Sequence, residues 1–121
     1  RGDLEGVKAL LDTGEDPRIQ DDFGMSSLHG AAKKGHSEVA RLLLERRADV
    51  DARQHKGETP LHYACKYGRG AVVTLLLRWG AETGPVSAEG KTPEQAAREK
   101  NHADAAEQVL LAASSSQAYS L

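Results

Sequence analysis

Apolar residues fall along the chain in short runs with helical spacing, separated by polar stretches that contain glycine. Leu4, Val7, Leu10 and Leu11 share one helical face, and Leu28, Ala31 and Ala32 are followed by Val39 and Leu42–Leu44. The same order returns at Leu61, Ala64 and Cys65, followed by Val72, Val73 and Leu75–Leu77. Gly24, Gly57 and Gly90 stand 33 residues apart, as do Leu28 and Leu61, His29 and His62, Ala31, Ala64 and Ala97, and Gly35 and Gly68. The pattern predicts seven helices, near 3–13, 28–34, 38–46, 61–67, 71–79, 94–100 and 104–113, with loops projecting near 18–25, 51–58 and 84–91. Self-similarity at such a period marks a solenoid, in which each helix pair buries its apolar face against its neighbours.

The best-formed unit is Gly57-Glu58-Thr59-Pro60-Leu61-His62-Tyr63-Ala64-Cys65-Lys66-Tyr67-Gly68, then Val72 to Leu77, then Gly80-Ala81. It closely resembles the ankyrin repeat, whose Thr-Pro-Leu-His-x-Ala stretch opens a first helix backed by a leucine-rich second one. The preceding unit, Gly24-Met25-Ser26-Ser27-Leu28-His29-Gly30-Ala31, departs from the pattern at Ser27, where proline is expected, but keeps Ser26 as an N-cap. The last unit keeps Gly90-Lys91-Thr92-Pro93 and then places Glu94 and Gln95 where leucine and histidine stand earlier, with Asn101, Ala105 and Gln108 at later core positions. Such polar drift reads as a terminal cap. Leu4 to Gly14 reads as the second half of a first repeat, so the chain is expected to be a piece of a longer protein in which a further helix covers Leu4, Val7 and Leu10.

The resemblance implies an all-α fold, an ankyrin solenoid of about three and a half stacked helix-turn-helix repeats with finger loops. Its domain spans residues 1–113, as repeats near 1–20 (partial), 21–53, 54–86 and 87–113, followed by a disordered tail over 114–121. Gly14 and Gly80 suit left-handed helix ends, and Arg47, at the equivalent place, is expected to be forced to positive φ.

A charged fraction of 28%, an apolar fraction of 39% and a net charge of −2 describe an ordinary soluble chain with no general attraction to nucleic acid or anionic membranes. No apolar run approaches the ~20 residues that a membrane span requires. One cysteine, Cys65, excludes an internal disulfide and suits a cytoplasmic or nuclear setting, with the thiol expected as a buried small hydrophobe.

Catalytic and cofactor chemistry find little support. His29 and His62 could suggest a metal pair, but the resemblance gives this histidine the task of linking neighbouring loops. No Cys-x-x-Cys or His-x-x-x-His spacing occurs on a helix, and there is no Gly-x-Ser-x-Gly elbow or phosphate-cradling loop. No cofactor, metal or catalytic residue is expected. Arg1-Gly2-Asp3 spells an integrin-recognition tripeptide and is read as coincidence. Tyr119-Ser120-Leu121 could offer a carboxylate to a PDZ groove.

The resemblance implies a concave groove lined by finger tips and the exposed side of each first helix. Carried over position by position, it is lined by Asp22, Phe23, Met25, Lys33 and Lys34, then His55, Lys56, Glu58, Lys66 and Tyr67, then Ala88, Glu89, Lys91, Glu99 and Lys100. Phe23, Met25 and Tyr67 are the expected anchors, since exposed aromatic side chains carry most interface energy. Lys33, Lys34, His55, Lys56 and Lys66 make the middle basic, with Asp21, Asp22, Glu89 and Glu99 flanking, which suits an extended peptide with an acidic centre and an apolar anchor. Trp79, at the end of a second helix, is expected to pack against the adjoining loop. The expected function is a non-catalytic protein-interaction module. Its rivals are a regulatory domain of a larger enzyme and a phosphate or nucleic-acid sensor using Lys33, Lys34, Lys56 and Lys66, with a base stacked on Phe23 or Tyr67.

Overall fold

The computed structural model describes the backbone of residues 4–119 and the side chains of residues 4–114. Among them run seven helices: α1 (Leu4–Asp12), α2 (Ser27–Lys34), α3 (Ser37–Glu45), α4 (Pro60–Lys66), α5 (Gly70–Arg78), α6 (Pro93–Glu99) and α7 (Ala103–Tyr119). The first helices of the repeats, α2, α4 and α6, stack in one layer, and the second helices, α1, α3, α5 and α7, stack behind them.

Each first helix starts where its sequence provides a cap. Ser26, Thr59 and Thr92 accept the backbone N–H of His29, His62 and Gln95, and those three side chains accept the cap residue's own N–H in return. Ser27 stands where the other two first helices have proline, and the capping box at Ser26 is nonetheless complete. The core is made of Leu28, Leu43, Leu61, Val72, Val73, Leu76 and Val109 with alanines between them. Small residues let neighbouring first helices approach closely, which is why so few aromatic side chains suffice.

Four expectations need correction. Helix α7 continues past 113 to Tyr119, so the stretch expected as a disordered tail is helical from Ser114 to Tyr119, and residues 120–121 lie outside the described residues. No glycine or proline interrupts that stretch, and Ala112 and Ala113 just before it carry the helix on. Asn101 is not a core residue: it is exposed, with φ of 64°, in the turn that Gly35 and Gly68 make earlier, because asparagine tolerates the left-handed region. Gln108 is only half-buried, and its side-chain oxygen accepts the hydroxyl of Thr74. Trp79 caps α5 at its C-terminus and is 44% exposed, so it does not bury itself against the loop. Arg47 does take positive φ, at 73°.

Hydrogen bonds that recur every 33 residues hold the fingers in register. In each buried histidine the backbone N–H of the cap residue donates to Nδ1, which leaves the proton on Nε2. His29 Nε2 then donates to the Glu58 carbonyl at 2.9 Å, and His62 Nε2 donates to the Lys91 carbonyl at 2.9 Å. The imidazoles are therefore structural links between consecutive loops, as the resemblance implied. Further out, His55 N donates to the Phe23 carbonyl at 3.0 Å and Ala88 N to the Lys56 carbonyl at 2.7 Å.

Candidate functional site

The stacked first helices α2, α4 and α6 and their fingers lie side by side along the repeat stack. The finger tips are built by side chains at one recurring position. The Asp21 carboxylate accepts the N–H of Phe23 and of Met25, each at 2.9 Å, and the Gln54 side-chain oxygen accepts those of Lys56 and Glu58 at 2.6 and 2.9 Å. Asp21 is thus a loop organiser, a role that its pairing with Asp22 in the sequence does not suggest.

The candidate anchors separate in this frame. Phe23 is 73% exposed at its finger tip, and Asp22 beside it is exposed. Met25 is half-buried, its sulfur accepting the Tyr63 hydroxyl at 3.4 Å. Tyr67, 37% exposed, stacks on Tyr63 with ring centres 6.1 Å apart and planes inclined by 14°. Tyr63 in turn meets His29 edge to face, with centres 5.6 Å apart, and its hydroxyl accepts a bond from Gln54 at 3.3 Å. Sequence reasoning missed Tyr63. The available signal was its position four residues before Tyr67, which puts both rings on one face of α4.

The charged candidates fall into two environments. Lys33 and Lys34 are exposed at the C-terminal turn of α2, and the ammonium of Lys33 stands 5.7 Å from the centre of the Tyr67 ring. Lys66, on α4, stands 5.9 Å from the same ring and 4.0 Å from the Glu58 carboxylate. Lys91 pairs with Glu99 and, at 3.8 Å, with Glu89, and the Glu99 contact comes first in holding its ammonium above the usual range. The same contact holds the Glu99 carboxyl below its own range. His55, Lys56, Ala88 and Lys100 are exposed along the fingers and the α6 edge. A cleft of about 190 Å³ lies between α4 and α6, walled by Glu58, His62, Lys66, Lys91, Glu99 and Lys100. Lys66 and Lys91 thus have carboxylate partners, whereas Lys33, Lys34, Lys56 and Lys100 are exposed and in no ion pair among the described residues.

Cys65 is fully buried, and burial pushes its thiol up to about 12, so it stays protonated and inert. No group of histidine, cysteine and carboxylate side chains among the described residues is arranged to hold a metal ion, and no described helix is long and apolar enough to cross a membrane. Arg1-Gly2-Asp3 and the Leu121 carboxylate lie outside the described residues.

A family model for ankyrin repeats, in three copies, matches residues 1–86. No curated protein matches the chain.

Proposed function

Because the chain belongs to the ankyrin-repeat family, whose members are generally protein-interaction modules and typically not enzymes, we propose that it acts without catalysis, holding a partner protein in its concave groove. The observation that carries this reading is the stacked Tyr63–Tyr67 pair, with the ring of Tyr67 open to solvent between two lysines and Phe23 exposed on the finger above. A rigid aromatic surface with few rotatable bonds loses little entropy on binding and offers a large contact area. The partner that complements this face is an extended segment with an acidic centre and an apolar side chain that seats on Phe23. A buried, protonated cysteine is compatible with a reducing compartment, and we place the protein in the cytoplasm or nucleus.

The test is a paired capture from cell lysate using the wild-type chain and a Phe23→Ala, Met25→Ala, Tyr67→Ala variant, both first shown to be folded by circular dichroism. The expected outcome is a protein retained by the wild type and lost by the variant. Equal retention by both would move the contact surface to the face around Trp79 and reject the groove.

A further inference from the structure

On the C-terminal side of the groove Lys91 faces Glu89 and Glu99, and Lys66 lies 4.0 Å from Glu58. On the N-terminal side Lys33, Lys34 and Arg69 are exposed, and none of them is in an ion pair among the described residues. Arg69 is nonetheless fixed in place. Its Nε donates to the Lys33 carbonyl at 3.0 Å, and its side chain lies across Gly35, where an added Cβ would meet its Cδ at 2.9 Å. Burial first, and then nearby positive charge that includes Lys34 and Arg69, hold the adjacent His36 imidazole below its usual range. Lys33, Lys34 and Arg69, gathered at the C-terminal end of α2 without a counter-ion, repel one another, and a complementary anion relieves that repulsion.

Resting on the groove reading above, we propose that this half of the groove recognises an acidic segment of the partner protein, bound in an extended, polyproline-like conformation with two carboxylate residues three positions apart. Packed helices lie ~8–10 Å apart, so α2 and α4 present their cations at about that interval. A polyproline-type chain has three residues per turn and rises ~3.1 Å per residue, which puts residues i and i+3 on one face about 9 Å apart. One carboxylate then meets Lys33, Lys34 and Arg69, whose Nε is held on the Lys33 carbonyl, and the next meets Lys66 on α4, which only a 4.0 Å contact ties to Glu58, with the Tyr67 ring between the Lys33 and Lys66 ammonium groups. Protein is favoured over nucleic acid because the patch is short and bounded by carboxylates. Asp21 and Asp22 stand on the finger at one end and Glu89 and Glu99 at the other, and the chain carries a net charge of −2. A phosphodiester strand, charged at every step, would run into them.

The test is selection of displayed random dodecapeptides on the folded wild-type chain, followed by affinity measurement with synthetic, end-blocked copies. The selected peptides are expected to carry Asp or Glu three positions apart. They should bind at least ~10-fold more weakly to a Lys33→Glu, Arg69→Glu variant, lose affinity with added salt, and bind normally to an Arg78→Glu control. A Lys33→Gln, Arg69→Gln variant with a smaller loss guards against misfolding of the charge-reversed one. Peptides without the acidic pair that are still lost in a Phe23→Ala, Tyr63→Ala, Tyr67→Ala variant would overturn the inference and leave the groove reading standing. Peptides indifferent to every groove variant would overturn both. Tight, salt-steep binding of a twelve-residue oligothymidylate in competition with the peptides would overturn it in favour of nucleic acid.

Discussion

Helix α5 buries Val72, Val73 and Leu76 completely, whereas α1 buries no residue: Leu4, Val7 and Leu11 are half-covered by the core, and Leu10 is 59% exposed. Both are second helices of their repeats and both carry a continuous apolar stripe. They differ in neighbours, since α5 is held by α3, α4 and α7, while the main support of α1 is α3 alone. In a solenoid the worth of an apolar side chain is therefore assigned by the repeats on either side of it, and identical residues contribute differently along the stack.

The most direct way to break this comparison is to truncate one leucine in each helix. Leu76→Ala should cost roughly 2–5 kcal/mol in urea unfolding, and Leu10→Ala no more than about 0.5 kcal/mol. Equal costs would mean that α1 is covered as fully as α5. The histidine links offer a second contrast. His62→Ala removes the partner of the buried Thr59 N–H and the tie to the Lys91 carbonyl, at a cost of roughly 1–3 kcal/mol. Gln95, the equivalent residue in the last repeat, is exposed, so Gln95→Ala should cost about 0.5 kcal/mol or less by the same measurement.

Acid should loosen the interior repeats through those same histidines. Burial first, only partly offset by the Glu58 and Lys91 carbonyls, holds His29 and His62 below the ordinary value of 6.5. The folded protein thus keeps them neutral where the unfolded chain would protonate them. Their contribution is fully present above pH 6.5 and is lost as pH falls from there through the lowered folded values. The slope is at most ~1.4 kcal/mol per pH unit for each ring. Urea midpoints measured across that range should fall with pH in the wild type and flatten in a His29→Gln, His62→Gln variant. A wild type whose midpoint stays constant would contradict the account.

A last contrast concerns the left-handed turns. Gly14 and Gly80 hold φ of 99° and 83° without strain, while Arg47 sits at 73° in the corresponding place. Arg47→Gly should therefore stabilise by about 1 kcal/mol, read as a higher melting temperature. Asn101→Gly, at a φ of 64°, should give only a few tenths, since asparagine already tolerates that region.

The features legible in the sequence were those decided within a few residues. Ser26, Thr59 and Thr92 announced the start of each first helix, and the glycines announced the turns. Leu28, Leu61 and Leu76 could be placed in the core because their spacing left no other face for them. Tyr63 was harder to place, because its role depends on Met25 and His29 coming against it from the neighbouring repeat. Lys91 looked like one more groove cation until the fold brought Glu99, from the far end of α6, onto its ammonium. The extent of α7 was hidden by Ser114 and the serines after it, weak helix formers that the preceding alanine-rich turns carry along.

The amino-acid sequence by itself determined the period, the caps, the apolar faces and hence the solenoid, because backbone hydrogen bonding and helical spacing act over three or four residues. Which cations are neutralised and which remain open, how deep each tyrosine lies, and why α1 stays half-covered were decided only by the tertiary structure. Coulomb pairing and burial depend on groups a whole repeat away, and stacking brings those groups within a few ångströms of one another.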